Sequence, residues 1–241
     1  MNNKTIVIIP TYNEVENISR LIDLIILENK HIDVLVVDDN SPDDTASLVV
    51  QKQNSYPDRV FLIKRLHKKG LGTAYIDGFK WSLKNKYDFI ISMDADFSHN
   101  PNELPKMLDN LHAGVDVLIG SRYINGVSVV NWPIGRILLS YFAQIYVKLI
   151  TGMPIKDPTS GFVAYKAKCI DSLDLDKFRF IGYAFQIEMK YKIWKKKYKL
   201  KEHQIIFMNR ELGESKLDKK IILEAVFGVL KLRFDSIFKK L

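Results

Sequence analysis

Residues 89–99 read Phe89-Ile90-Ile91-Ser92-Met93-Asp94-Ala95-Asp96-Phe97-Ser98-His99. A short apolar run goes straight into two aspartates. Residues 89–93 suit a strand buried on both faces, and such strands belong to parallel sheets covered by helices. Alternation along the chain sends the side chains of Asp94 and Asp96 to the same side. The flanking sequence repeats the pattern. Apolar runs at 5–9, 34–37, 60–63 and 115–119 predict four more strands, and helical patterns separate them. Val15, Ile18, Leu21, Ile22 and Ile25 follow helical spacing, and further helices are predicted at about 73–85 and 101–112. Ser41-Pro42-Asp43-Asp44 has the composition of a helix start, with Ser41 as cap and Pro42 as first helical residue. Strands alternating with helices predict an α/β fold built from parallel βαβ units with helices on both faces.

Ligands in such sheets bind beyond the carboxyl ends of the strands. The segments there are 10–14, Asp38-Asp39, 67–72, 94–98 and 120–123, and most are polar without a core-packing reason. Two carboxylates converging at a strand end repel each other unless a cation lies between them. A hard divalent ion such as Mg²⁺ or Mn²⁺ takes a few carboxylates plus phosphate oxygens. Asp38-Asp39 can accept hydrogen bonds from a ribose or base, or can serve turn chemistry toward Pro42. Gly70-Leu71-Gly72 begins like a dinucleotide fingerprint, but the third glycine would fall on Tyr75 and the pattern follows the third strand, so that site is rejected.

The second half differs in character. Long helical patterns are predicted at 132–150, 183–197 and 217–241, a loop at 156–161, and strands at 162–165 and 200–208. The 241 residues carry a net charge of +8. Residues 1–120 hold 13 basic and 17 acidic side chains, and residues 121–241 hold 23 and 11. A basic half faces an anionic partner or presents a solvated face. The lysine-rich run 190–201 belongs to no named nucleic-acid motif, which argues against nucleic acid. The 47% hydrophobic content excludes a mainly disordered chain, and the lone Cys169 excludes a disulfide framework or a cysteine-rich zinc site. Pro10 ends the first apolar run too early for a secretory signal, and Arg136, Gln144 and Lys148 break the longest apolar region, 129–150.

Five segments occur in a telling order: Pro10-Thr11-Tyr12-Asn13-Glu14, Val36-Val37-Asp38-Asp39-Asn40-Ser41-Pro42-Asp43, Gly70-Leu71-Gly72-Thr73-Ala74-Tyr75, Met93-Asp94-Ala95-Asp96-Phe97-Ser98-His99 and Gly120-Ser121-Arg122-Tyr123. With Asp157-Pro158-Thr159-Ser160-Gly161-Phe162, Gly182-Tyr183-Ala184-Phe185-Gln186 and Gly213-Glu214-Ser215-Lys216, they resemble the GT-A glycosyltransferases of family 2, and within them the dolichyl-phosphate (polyprenol-phosphate) mannosyltransferases. The resemblance implies a GT-A, Rossmann-like, mostly parallel sheet in a catalytic domain over 1–215, with a C-terminal amphipathic helix over 216–241. It implies that Pro10, Tyr12 and Glu14 contact the donor nucleoside, with Val37 and Asp39 beside base and ribose. Asp94 and Asp96 would hold Mg²⁺ or Mn²⁺ on the donor pyrophosphate, with Ala95 close by. Arg122, Arg210 and Lys216 would surround the phosphates, and Arg136 would meet the acceptor phosphate. Asp96, Arg122 and Arg136 are the implied catalytic residues. Some relatives place a glutamine metal ligand where this chain has Ser98, so the resemblance implies Ser98 as a weaker third metal ligand beside Asp94 and Asp96.

The implied reaction moves mannose from GDP-mannose to a polyprenyl or dolichyl phosphate with inversion; the same transfer from a UDP-sugar such as UDP-glucose is the alternative. A phosphate oxygen needs no general base, which fits Gln186 in a neighbourhood where many family 2 enzymes carry an aspartate. Arg136, Ser140, Gln144 and Lys148 recur every four residues as one polar stripe on an otherwise apolar helix. Such a helix lies in a large core or in a lipid interface, and its aromatic content and basic residues favour the interface. Lys220, Glu224, Gly228, Lys231, Asp235 and Lys239 trace a similar stripe on the last helix. The expected location is peripheral, on the cytoplasmic face of a membrane, with room for an accessory membrane protein.

Overall fold

The computed structural model describes residues 3–182, 184–209 and 219–238. Its strands are β1 (Thr5–Thr11), β2 (Ile32–Asp38), β3 (Val60–Lys64), β4 (Phe89–Ser92), β5 (Val117–Ser121), β6 (Val129–Val130), β7 (Val163–Lys166), β8 (Leu200–Gln204) and β9 (Phe207–Met208). The helices are α1 (Ile18–Glu28), α2 (Thr45–Ser55), α3 (Leu71–Lys84), α4 (Leu104–His112), α5 (Ile134–Thr151), α6 (Ala167–Asp171), α7 (Ala184–Lys195) and α8 (Lys219–Phe238). The main sheet runs in the order β3-β2-β1-β4-β7-β5-β8. All its pairings are parallel except those of β7, which lies antiparallel between β4 and β5.

The period of two explains the two layers. Ile6, Ile8, Leu35 and Val37 pack with Tyr75 and Phe79 of α3 and with α7. Their neighbours Val7, Ile9, Val34 and Val36 pack with α1, with Val49 of α2 and with α4. The predicted mostly parallel sheet with helices on both faces is therefore the observed architecture. The strand order reverses around β1 and β4, so their carboxyl ends flank the crevice where open α/β sheets bind ligands. The reversed β7 adds to it: an antiparallel strand begins where its neighbours end, which delivers the 157–161 loop to the same edge.

Two expectations need correcting. The helix expected from Pro42 starts at Thr45, because Asp38 draws Ser41 inward and Asp44 takes a left-handed φ of 65°. The single strand expected over 200–208 is two. After β8 the chain buries Ile205 and exposes Ile206, and β9 then pairs with β6 in a separate two-stranded sheet.

Helix α5 is turned opposite to a soluble surface helix. Gln144, Val147 and Thr151 are its buried residues, and Ser140 accepts a hydrogen bond from the Tyr123 hydroxyl at 2.7 Å. Ile134, Leu138, Leu139, Tyr141, Phe142, Ile145 and Leu149 are exposed. Most of the predicted polar stripe thus faces the protein, and the apolar side faces outward, which excludes the core placement. Among the described residues α5 is the one helix long and apolar enough to cross a membrane by length and composition.

Gly78 marks the tightest seam between α3 and the sheet. A methyl there would stand 2.7 Å from Ile8 Cγ2 and 3.4 Å from Val37 Cγ2. Alanine gains about 1 kcal/mol of helix propensity, while overpacking a rigid strand costs about 1–3 kcal/mol. Gly78→Ala is expected to lower the urea midpoint with an unchanged slope; a raised midpoint would show that the seam can relax.

Candidate active site

The loops after β1 and β2 are laced together. Asp38 is fully buried and accepts from Thr11 Oγ1 at 2.8 Å and from the Ser41 amide at 2.9 Å. The Asn13 amide donates to Ser41 Oγ at 3.1 Å, Glu14 N to Thr45 Oγ1 at 3.0 Å, and Val15 N to Asp43 Oδ2 at 3.1 Å. Asp38 is thus the internal anchor of this wall. Glu14 accepts from Asn17 Nδ2 at 3.2 Å, and the Lys68 ammonium sits 3.7 Å above the Tyr12 ring.

Asp39 is held by donors from the segment after β3. Its carboxylate accepts from Arg65 Nη1 at 2.8 Å, from the Lys69 amide at 3.0 Å and from the Gly70 amide at 2.9 Å. Both partners of this ion pair are buried. Arg65 also donates to Thr73 Oγ1 at 2.7 Å and lies 3.2 Å from Asp77. The carboxylate therefore positions the Gly70 turn at the start of α3. Gly70 itself sits at φ 99°, in the region that favours glycine. The β2–β3 register pairs Asp38 with Lys64, so Arg65 next along β3 faces Asp39; the sequence signal was a cation just past the strand partner. Pro10 lies opposite Val37 in the β1–β2 ladder. Val37's side chain is fully buried in the core beside α3, so it packs there and does not line the crevice.

Asp94 and Asp96 emerge from β4 partly exposed, with buried Ala95 between them. Ser98 is buried and donates both its amide and its hydroxyl to Asp96 Oδ1. That makes Ser98 an orienting partner of Asp96. His99 is buried against Phe162 at 4.9 Å between ring centroids, and its Nδ1 accepts the Asp94 amide at 3.1 Å. Burial pushes the His99 imidazole below its ordinary pKa despite the opposing pull of Asp94 and Asp96. A neutral ring is what an accepting Nδ1 requires. Tyr75, its phenol held protonated by burial and by Asp94, points its hydroxyl at Asp94 Oδ1 from 3.5 Å.

The donor set suits a hard divalent cation. Among the described residues no group of three His, Cys, Asp or Glu side chains forms a complete cage. A divalent ion held by these two carboxylates would take its remaining oxygens from water and phosphate.

Arg122 follows β5 and is nine-tenths buried. Its Nε and Nη2 donate to Asp157 at 2.7 and 2.6 Å, its amide adds a third bond at 3.0 Å, and Nη2 reaches Thr159 Oγ1 at 2.7 Å. The rings of Tyr123, Trp132 and Phe207 surround the guanidinium at 5.4 to 5.7 Å. Arg122 thereby clamps the 157–161 loop. Gly161 of that loop borders the acidic pair: a methyl there would stand 3.4 Å from Asp94 Oδ1. Arg136 opens α5 with its guanidinium 4.0 Å above Trp132 and Nη1 donating to Asn209 at 3.0 Å. Arg210 and Lys216 lie outside the described residues.

Burial pushes the Asp157 carboxyl up, and the adjoining Arg122 more than reverses this, holding it below the ordinary range. The stability from this pair is therefore complete above the ordinary carboxylate pKa and is lost as acid takes the pH down through the lowered value. Arg122→Met leaves a buried carboxylate unpaired and is expected to cost about 3–5 kcal/mol in urea denaturation at pH 7. Adding Asp157→Asn should restore part of the loss; full additivity of the two changes would show that the pair is not coupled.

The family model described as Glycosyl transferase family 2 matches residues 6–173. The chain is 42% identical over 94% of its length to the polyprenol monophosphomannose synthase of Mycolicibacterium smegmatis, covering 85% of that protein. It is 39% identical over 95% of its length to the undecaprenyl-phosphate mannosyltransferase of Micrococcus luteus, covering 93% of it, and to the dolichol-phosphate mannosyltransferase of Pyrococcus furiosus, covering 63% of it. The crystal structure of glucosyl-3-phosphoglycerate synthase from Mycobacterium tuberculosis with Mn²⁺ and UDP-glucose shares the fold at a TM-score of 0.70 and 16% identity, over 95% of this chain and 79% of that one. The acidic pair at the switch of a mostly parallel sheet is thus carried by a chain that belongs to glycosyl transferase family 2.

Proposed function

We propose that the protein transfers mannose from GDP-mannose to a polyprenyl monophosphate with inversion, using Mg²⁺ or Mn²⁺. The observation that carries this reading is the pair Asp94 and Asp96 at the sheet's switch point, in a chain 39% to 42% identical to enzymes named for mannosyl transfer to polyprenyl phosphates. Asp94 and Asp96 would hold the cation, and Ser98 and Tyr75 orient their oxygens. A bound divalent ion supplies positive charge to the leaving nucleoside diphosphate as the glycosidic bond breaks. The laced 11–15 and 38–45 loops, with Tyr12 and Glu14 on them, form the nucleoside wall, and Arg65 sets its shape by seating Asp39 and Gly70. Arg210 and Lys216 are proposed to meet the donor phosphates.

The nucleophile is an ionised phosphate oxygen, so no proton need be removed. Gln186, buried on α7, supplies no base and suits that acceptor. One displacement from the face opposite the leaving group inverts the anomeric centre. Arg136, in the first turn of the exposed apolar helix, is proposed to meet the lipid phosphate. The outward side of α5 is proposed to rest in the lipid interface, on the cytoplasmic side. A groove of about 640 Å³ between α5 and α8, lined by Leu149, Ile150, Leu230 and Phe234 with Lys231 and Arg233, extends that surface.

Radiolabelled sugar transfer tests the chemistry. Polyprenyl phosphate should accept mannose from GDP-mannose, and the corresponding alcohol should not. Excess EDTA and Asp96→Ala should each reduce turnover about 10²–10³-fold, the scale of losing one electrostatic stabiliser. Full turnover in chelator, equal rates with the alcohol, or preference for UDP-glucose would each overturn the corresponding part.

Phe142 and Ile145 are 63% and 39% exposed, so Phe142→Glu with Ile145→Glu should leave the melting temperature and donor affinity intact. Sedimentation with anionic vesicles should weaken, since burying an apolar face in lipid yields about 25 cal/mol per Å². Unchanged vesicle binding would move the membrane contact away from α5.

A further inference from the structure

Lys190 is an amine with no exposed surface, in the middle of α7. It donates to the Ser160 carbonyl at 2.7 Å and to the Gln186 carbonyl at 3.1 Å. The Gln186 bond lies within its own helix; the Ser160 bond reaches the back of the 157–161 loop. The front of that loop is the active-site wall: Gly161 borders Asp94 and His99, and Asp157 and Thr159 hold Arg122. Two further ties set the same backbone, Ser160 Oγ to the Gly120 carbonyl at 2.6 Å and Ser92 Oγ to the Gly161 carbonyl at 2.7 Å. The loop is thus held from β4, from β5 and, by Lys190, from α7.

We propose that Lys190 is a positioning residue for sugar transfer, whose charged amine holds the 157–161 loop against Asp94 and so fixes the geometry of the acidic pair. A buried lysine is costly, and an aliphatic side chain would fill the same space without that cost. Its presence makes sense when the bond it donates serves the site. The groups facing it are Asp157 from the loop, Arg122 from the end of β5 and Glu202 from β8. On its own helix Glu188 is paired with Lys192 at 2.8 Å. Two acids and one arginine balance only when the amine is charged. Burial nevertheless pushes the Lys190 amine down to about 7, with Asp157 pulling the other way. Below that pH the bond to Ser160 is charge-assisted; above it a neutral amine donates more weakly. The unfolded amine titrates near the ordinary lysine value. Below about pH 7 folding therefore bears the full penalty of the buried amine, and the penalty shrinks as pH rises toward the ordinary value.

The inference rests on the proposed sugar transfer, and its test separates the two. Lys190→Met removes the donor and keeps the bulk, so the melting temperature at pH 6 should hold or rise. At pH 6 its kcat for transfer to polyprenyl phosphate should fall about tenfold with donor KM within twofold, the signature of a displaced reacting geometry. The ratio of wild-type to variant kcat should shrink toward pH 9. The electron paramagnetic resonance spectrum of Mn²⁺ bound with GDP should change shape in the variant. Lys190→Gln, which keeps a neutral donor, should give a smaller kcat loss at pH 6 that vanishes toward pH 9, and it decides the matter if Lys190→Met fails to fold. An unchanged kcat at pH 6, a loss carried by KM alone, or a ratio that does not vary with pH overturns the proposal. A wild type that binds Mn²⁺ with GDP yet transfers no mannose would remove the mannosyl reading alone, and the Mn²⁺ spectrum of the variant would still decide the role of Lys190.

Discussion

The buried ion pair of Arg122 and Asp157 organises the site more than any other contact. Three hydrogen bonds join the end of β5 to the loop that enters β7, across 35 residues of chain. Glu202 on β8 completes the arrangement by accepting the Lys156 and Asp157 amides, each at 2.8 Å. A charge pair taken out of water is worth keeping only when its geometry is good and its remaining valences are satisfied. Here both conditions hold, and the aromatic rings of Tyr123, Trp132 and Phe207 close over the guanidinium. Since β7 is antiparallel, the same pair sets the position of the loop beside Asp94. The clamp therefore links the basic second half of the chain to the acidic edge of the first.

Four aspartates at the sheet edge have two fates. Asp38 and Asp39 are buried and surrounded by protein donors, so they build the walls. Asp94 and Asp96 are partly exposed and oriented by Tyr75 and Ser98, so they can turn oxygens toward a cation. β3 brings Arg65 to the buried Asp39, while Tyr75 and Ser98 orient the partly exposed pair that follows β4. A cation arriving with a nucleotide sugar would meet the carboxylates that the fold leaves partly open, beside walls that are already set.

The inverted helix α5 is where the proposed lipid contact would meet this chemistry. Its inward side carries Ser140 and Gln144, and its outward side is apolar, so its surface matches a membrane boundary better than water. Arg136 at its start lies over Trp132, whose ring also borders Arg122. The route from an exposed apolar surface to the clamp and the acidic pair is thus only a few side chains long.

Much of this was legible in the sequence because it is local. Apolar runs of period two ending in acids at 11–14, 38–39 and 94–96 specify parallel strands and the edge where ligands bind, whatever the rest of the chain does. The ordered motifs add the family. What each carboxylate does at that edge was not legible, because its partners come from far along the chain: Arg65 for Asp39, Arg122 for Asp157, and Lys190 for the Ser160 carbonyl. The polar stripe of α5 was visible, but a stripe has no direction until neighbours are present, and Tyr123 drew it inward. The start of α2 moved from Pro42 to Thr45 for the same reason, since Asp38 outcompetes a local cap for Ser41. Backbone pattern is set by neighbours in sequence. The use of a buried charge is set by which opposite charge the topology brings within hydrogen-bonding distance, and only the tertiary structure decides that.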